Sequence, residues 1–132
     1  MDADEARAFV RRNPRAVFAT YRRDGRAQLT PVLVGVDEEG LLEISTSERT
    51  GKVRNVRRDP RVSLCSITDG FFGPSVQVEG TATILTLPEA MERLIDYYRR
   101  LSGEHPDWDD YRRAMVEERR CLVKITIDRA VG

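Results

Sequence analysis

Residues 49–61 read Arg-Thr-Gly-Lys-Val-Arg-Asn-Val-Arg-Arg-Asp-Pro-Arg. Five arginines and one lysine face a single aspartate there, in a 132-residue chain whose 22 basic and 22 acidic residues cancel. Just before them stands Glu43-Ile-Ser45-Thr46-Ser47, a strand end rich in hydroxyls. Strand, hydroxyl turn, glycine, lysine and helix in that order form a cradle for an anion. A helix N-terminus offers unpaired backbone N–H groups and a partial positive charge. Gly51 lets a ligand approach the backbone closely, and Lys52 adds a mobile point charge. A plainer reading stands beside this one: a basic helix whose charges pair with the chain's many carboxylates. Nucleic acid is a third reading, and the segment lacks both the interleaved aromatics and the wide basic face it calls for.

At about 100° per residue, Val53 and Val56 define the buried stripe of this helix. Lys52 and Arg57 flank the stripe, and Arg54 and Arg58 fall on the far face. That geometry points to Lys52 for a phosphate and leaves Arg54 and Arg58 as solvated or interface charges. Only Lys52 and Lys124 are lysines; the other twenty basic residues are arginine, a habit that gives a single arginine little functional weight.

Other chemistries find little support. The two cysteines, Cys65 and Cys121, sit in apolar surroundings with no CxxC motif, and His105 is the only histidine. A zinc site of the usual ligands is therefore excluded, and no metal ligand is assigned. A Ser-His-Asp triad would depend on His105, and no GxSxG elbow exists. His105, beside Pro106, fits a loop or capping role. Trp108 and Tyr111 fit packing of a helix onto the sheet. Glu104, Asp107, Asp109 and Asp110 fit helix-start capping. Phe71-Phe72, in a Gly/Pro-flanked loop, suits an interface or a ring-facing position equally. The acidic start and the absence of a long apolar run argue against a signal peptide or membrane helix. A cytoplasmic protein of one domain spanning 1–132 is expected, with cysteines that pack and form no disulfide.

The elements that must position the cradle are mostly strands. Asp2 to Arg12 reads as an amphipathic helix closed by Asn13-Pro14. Ala16–Tyr21 and Ala27–Val36 are strands around an Asp24-Gly25 turn. Leu41–Thr46, Arg61–Thr68, Ser75–Leu85 and Arg120–Val131 complete a set of about six. Ser47–Asp59 contains the basic helix, which Asp59-Pro60 ends. Pro88–Ser102 and Trp108–Glu118 are helices, with Pro88 at the start of the first and Asp107 capping the second. Antiparallel meanders with inserted helices indicate an α+β, mainly β fold, a small barrel or curled sheet.

With these residues in view, the chain resembles the pyridoxamine 5′-phosphate oxidase-like superfamily. The likeness lies in Asp24-Gly25, Gln28-Leu-Thr-Pro31, Ser45-Thr46, the run from Lys52 through Asn55-Val-Arg-Arg-Asp-Pro-Arg61, and Val78-Glu79-Gly80. More narrowly it is similar to the actinobacterial branch that binds the deazaflavin coenzyme F-420, with Gly103-Glu-His-Pro-Asp-Trp-Asp-Asp-Tyr-Arg112 and Arg119-Arg120 similar to one subgroup. The resemblance covers about residues 14–131. It implies a split β-barrel homodimer with short peripheral helices and cofactor grooves at the dimer joint. It implies hydride transfer from reduced F-420 to an electron-poor small molecule such as a quinone or enone, with neither nucleic acid nor membrane as partner. By residue match, Lys52 meets the cofactor phosphate with Thr50 and Gly51 beside it. Thr30, Pro31 and Val32 match the strand facing the ring, Ser45 and Thr46 the neighbouring strand end, and Asn55 a position near the phosphate turn. No catalytic side chain is assigned. FMN is the alternative cofactor, and a non-catalytic coenzyme binder the alternative role. Gly51 stands where oxidase members carry arginine before the lysine, which weakens the FMN reading. Relatives often continue with a tail over the ring, whereas this sequence stops at Gly132; either a more open site or a shortened sequence fits that difference.

Overall fold

A computed structural model describes residues 1–132. In chain order the elements are α1 (Ala3–Arg12), β1 (Arg15–Tyr21), β2 (Ala27–Leu33), β3 (Gly35–Val36), β4 (Leu42–Ser47) and α2 (Gly51–Arg58). There follow β5 (Arg61–Ile67), β6 (Ser75–Leu85), α3 (Met91–Ser102), α4 (Trp108–Glu117) and β7 (Arg120–Val131). All pairings are antiparallel, in the order β2-β1-β5-β6-β7-β4-β3. The sheet curls until β2, at one edge, comes into contact with β4 near the other. The result is a split β-barrel of α+β class. No helix is long and apolar enough to cross a membrane.

Local chemistry sets most of these limits. Asp2 and Glu5 form a reciprocal capping box on α1. In the β1–β2 turn Gly25 takes a positive φ of 85°, and Asp24 accepts the N–H of Arg26 at 3.0 Å. Asp37 builds the turn before β4, its Oδ1 accepting from the N–H groups of Glu39 and Leu41, each at 2.9 Å.

The expected single strand over 27–36 is two strands, so there are seven and not six. Val34 N–H still bonds Pro14 O at 2.8 Å, in the register that pairs Arg15 with Leu33, but Pro14 has no N–H to return and the β1–β2 ladder ends there. The chain then crosses to the opposite edge of the sheet as β3. The third helix also starts later than expected, at Met91 and not Pro88. Residues 87–90 form a turn in which Ala90 N–H bonds Thr86 O at 2.9 Å.

The core has two parts. One fills the barrel, with Phe18, Ile44, Leu64, Val78 and Ile125 on the strands and Val10 of α1 closing one end. The other lies between α3, α4 and the outside of β7, and includes Leu94, Ile95, Tyr111, Met115 and Leu122. Residues 121–125 are therefore buried on both faces, where a single-sided strand would alternate.

Candidate functional site

Helix α2 lies beside the open seam. Val53 and Val56 are buried as its stripe, and Asn55 widens that stripe. Thr50 is the N-cap residue, but its hydroxyl does not cap the helix: it donates to Ser47 O at 2.9 Å. The Thr46 hydroxyl lies 3.4 Å from it. The first-turn N–H groups of α2 are thus left without a side-chain acceptor, beside two hydroxyls and Gly51.

Lys52 is half-buried and makes no hydrogen bond or ion pair within the chain. Burial lowers the pKa of its ammonium, and the positive charge of Arg120 lowers it further. Arg120, at the start of β7, donates through Nη2 to Ser45 Oγ at 3.0 Å, and its buried Nε has no partner at all. Two cations share a partly buried corner with no carboxylate between them; Glu118 lies 3.8 Å from the outer side of Arg120. Such an arrangement is unfavourable empty and suits an anion.

The sequence-matched residues divide into three groups. Ser45, Thr46, Thr50, Gly51 and Lys52 gather at the junction of β4 and α2. On edge strand β2 the side chains alternate, so half-buried Thr30 and Val32 share the inner face with Gln28, whereas Pro31 is exposed on the outer face. Asn55 acts as a strut: its Nδ2 donates to Thr20 Oγ1 at 3.1 Å and Gln28 Oε1 at 3.0 Å, and its Oδ1 accepts from Arg58 Nη2 at 3.1 Å.

The far face of α2 differs from its expected role as free charge. Arg54 and Arg58 are exposed, but Arg58 donates to Tyr21 O at 2.6 Å and Arg54 to Arg49 O at 2.9 Å. With Arg22, Arg23 and Arg57 they line a groove of about 640 Å3, bordered also by Gln28, Gly51 and Asn55 and by no apolar side chain. Lys52 does not line it. Helical angle alone missed this groove because its other wall is the β1–β2 hairpin, some thirty residues upstream. Arg120 was missed for a similar reason; the Arg119-Arg120 pair carried no signal separating it from eighteen other arginines.

Other candidates settle into structural roles. His105 Nδ1 accepts the N–H of Asp107 at 2.9 Å, and the ring packs among Tyr98, Trp108 and Tyr111. Asp107 caps α4, and Tyr111 donates its hydroxyl to Leu94 O at 2.9 Å. Both cysteines are free thiols; burial pushes that of Cys121 up to about 11, while Cys65 is half-buried. Phe71 and Phe72 are almost fully exposed at the β5–β6 tip.

The split barrel as a whole is similar to several known structures. Rv2991, a conserved hypothetical protein from Mycobacterium tuberculosis, is similar at 29% identity over 98% of this chain and 82% of its own, with a TM-score of 0.79. An F-420 reductase is similar at 20% identity over 94% of each chain, with a TM-score of 0.71. A FAD-binding protein from Mesorhizobium loti matches at 22% identity over 98% of this chain and 90% of its own, with a TM-score of 0.70. The sequence pattern of the pyridoxamine 5′-phosphate oxidase family matches residues 3–131. Fold and nearly the whole length of sequence therefore agree, and the chain belongs to the pyridoxamine 5′-phosphate oxidase family.

Proposed function

We propose that this chain is an oxidoreductase that binds reduced coenzyme F-420 and directs its hydride to an electron-poor small molecule such as a quinone or an enone. The observation that carries the reading is Lys52, a half-buried ammonium without an acidic partner, next to the unpaired Nε of Arg120. A phosphate at the start of α2 relieves both. It would accept from Lys52, from the uncapped first-turn N–H groups and from the hydroxyl of Thr46.

The chemistry of the seam supports a placement for the rest of the coenzyme. The inner face of β2, with Thr30 and Val32, offers a mixed polar and apolar strip for a flat ring. The arginine groove has no apolar wall, so it suits an anionic extension of the coenzyme and not its ring. When bound, the reduced deazaflavin supplies a hydride, because carbon replaces the central nitrogen of a flavin. The residues of this chain anchor and orient it, and near-contact positioning is their main contribution to rate. The return proton is assigned to water, since no side chain of the site is a convincing acid.

A homodimer is part of the proposal. The outer face of β1, β2 and β5 exposes Val17, Leu29, Leu33 and Ile67, with Leu29 66% exposed. Apolar side chains concentrated on one sheet face mark an interaction surface, and a second copy there would lie along the β2 edge of the seam.

Thermal shift with F-420, FMN and haem tests the reading, followed by consumption of reduced F-420 with quinones, enones and nitro compounds. A ligand at 100 times its Kd adds about 2.7 kcal/mol. F-420 is expected to give the largest shift. A shift with FMN alone would move the assignment to a flavin enzyme. Binding of F-420 without consumption by any acceptor would make the chain a coenzyme carrier.

A further inference from the structure

A second cleft, of about 330 Å3, opens between α1 and α3 over the short strand β3. It shares no residue with the arginine groove or with the Lys52 corner. Val34, Gly35 and Val36 line it together with Leu101, and Arg11 and Arg100 are its charged members. Nothing acidic lines it.

The two arginines differ in how they are held. Arg100 donates through Nη1 to Glu43 Oε1 at 2.8 Å, while its Nε and Nη2 meet no acceptor in the chain. Glu43 is itself buried, and its Oε2 takes Lys124 Nζ at 2.9 Å. Lys124 also bonds Asp37 Oδ2 at 2.5 Å. Two carboxylates and two cations are thereby matched, and none of that negative charge is left for Arg11. Arg11 is exposed and pairs with no carboxylate. The cleft thus carries one pre-positioned guanidinium with free donors and one uncompensated guanidinium, beside the half-buried Leu101 and the backbone of residues 34–36.

We propose that this cleft binds a small monocarboxylate with an apolar body. Its volume lies at the lower end for ligand pockets, too small for a flavin-sized molecule. Guanidinium groups match a carboxylate in a forked geometry. Leu101, half-buried, and the Val34–Val36 backbone, whose two valine side chains belong to the barrel core, form the wall for a small ring or branched chain and give little to a fully hydrated phosphate. The chain of buried charges from Asp37 to Arg100 fixes one donor in advance and lowers the ordering cost of binding.

Amide NMR titration with benzoate tests this, with benzamide and inorganic phosphate as controls. Benzoate is expected to move the amides of Val34, Gly35, Val36 and Leu101 saturably, while benzamide and phosphate leave them in place. Arg11→Gln, at an exposed and unpaired position, keeps the fold and weakens benzoate about tenfold, the scale of one charge-assisted hydrogen bond. The proposal falls if these amides show no saturable shift at tens of millimolar. It falls equally if benzamide binds as well, if Arg11→Gln changes nothing, or if the shifts appear only over residues 51–58. The last result would leave the coenzyme reading intact, because that reading rests on the other site.

Discussion

The ammonium of Lys124 stands 2.5 Å from Asp37 Oδ2, tying β7 to the turn before β4 across 87 residues of chain. Both groups are nearly buried, and the same ammonium holds Glu43. Removing one partner from a buried ion cluster leaves uncompensated charge. Lys124→Met is expected to cost about 3–5 kcal/mol in urea unfolding.

The same contact fixes a pH dependence. Burial works against the Asp37 carboxylate, but the Lys124 hydrogen bond and the N–H groups of Leu41 and Glu39 outweigh it and hold its pKa below the usual value. A carboxyl lowered in the folded state contributes stability above its unfolded pKa, about 3.9, and loses it as pH falls through the folded pKa. The wild type should therefore lose stability on acidification below about pH 4. Lys124→Met should show a shallower or reversed dependence there. Equal slopes would remove the ammonium from the account.

Lys52 has the opposite sign. Its folded pKa is lowered, by burial first and by Arg120 second. The native state then binds fewer protons than the unfolded chain between the folded pKa and about 10.4, so this group makes stability rise with pH in that window. Below it the charged lysine burdens the empty protein. Lys52→Met should stabilise the unliganded protein near neutral pH, by less than about 1 kcal/mol because solvent screens the corner, and so raise its Tm slightly. It should also weaken F-420 binding about tenfold or more. Arg58→Ala should weaken binding much less and reduce stability more, since Arg58 braces α2 against β1. Equal losses of affinity in the two variants would undo the assignment of the phosphate to Lys52.

Asn55 joins α2 to β1 and β2 through two side-chain hydrogen bonds, and accepts a third from Arg58 within α2. Asn55→Ala leaves the buried Thr20 hydroxyl and the Gln28 amide without their donor, at a cost of about 1–3 kcal/mol. A double-mutant cycle with Gln28→Ala should show coupling of about 0.5 kcal/mol or more. Additive losses would mean that the strut carries no load.

For the homodimer, Leu29→Glu combined with Leu33→Glu places charge on the exposed outer face of edge strand β2. Sedimentation should show the wild type as a dimer and the double variant as a folded monomer. A variant that remains dimeric would move the joint to another face.

Much of the molecule follows from chain neighbours alone. The start of α1, the Asp24-Gly25 turn, the Asp107 cap and the end of α2 at Asp59-Pro60 depend on contacts within a few residues, which is why they are readable in the sequence. The likeness to a split barrel and the basic run around Lys52 were equally visible, because they lie in consecutive residues. Tertiary structure decided the rest. The strand after Ala27 ends at Val34 because its partner twenty residues away, Pro14, has no N–H to continue the ladder. Arg120 meets Ser45, and its charge bears on Lys52, only because β7 pairs with β4. Arg58 finds Tyr21 only because α2 packs across β1. Lys124 becomes an internal cation because α3 and α4 cover the outside of β7. Periodicity states which side of an element is apolar; which charge meets which is set by strand register and helix packing, and no local pattern encodes either.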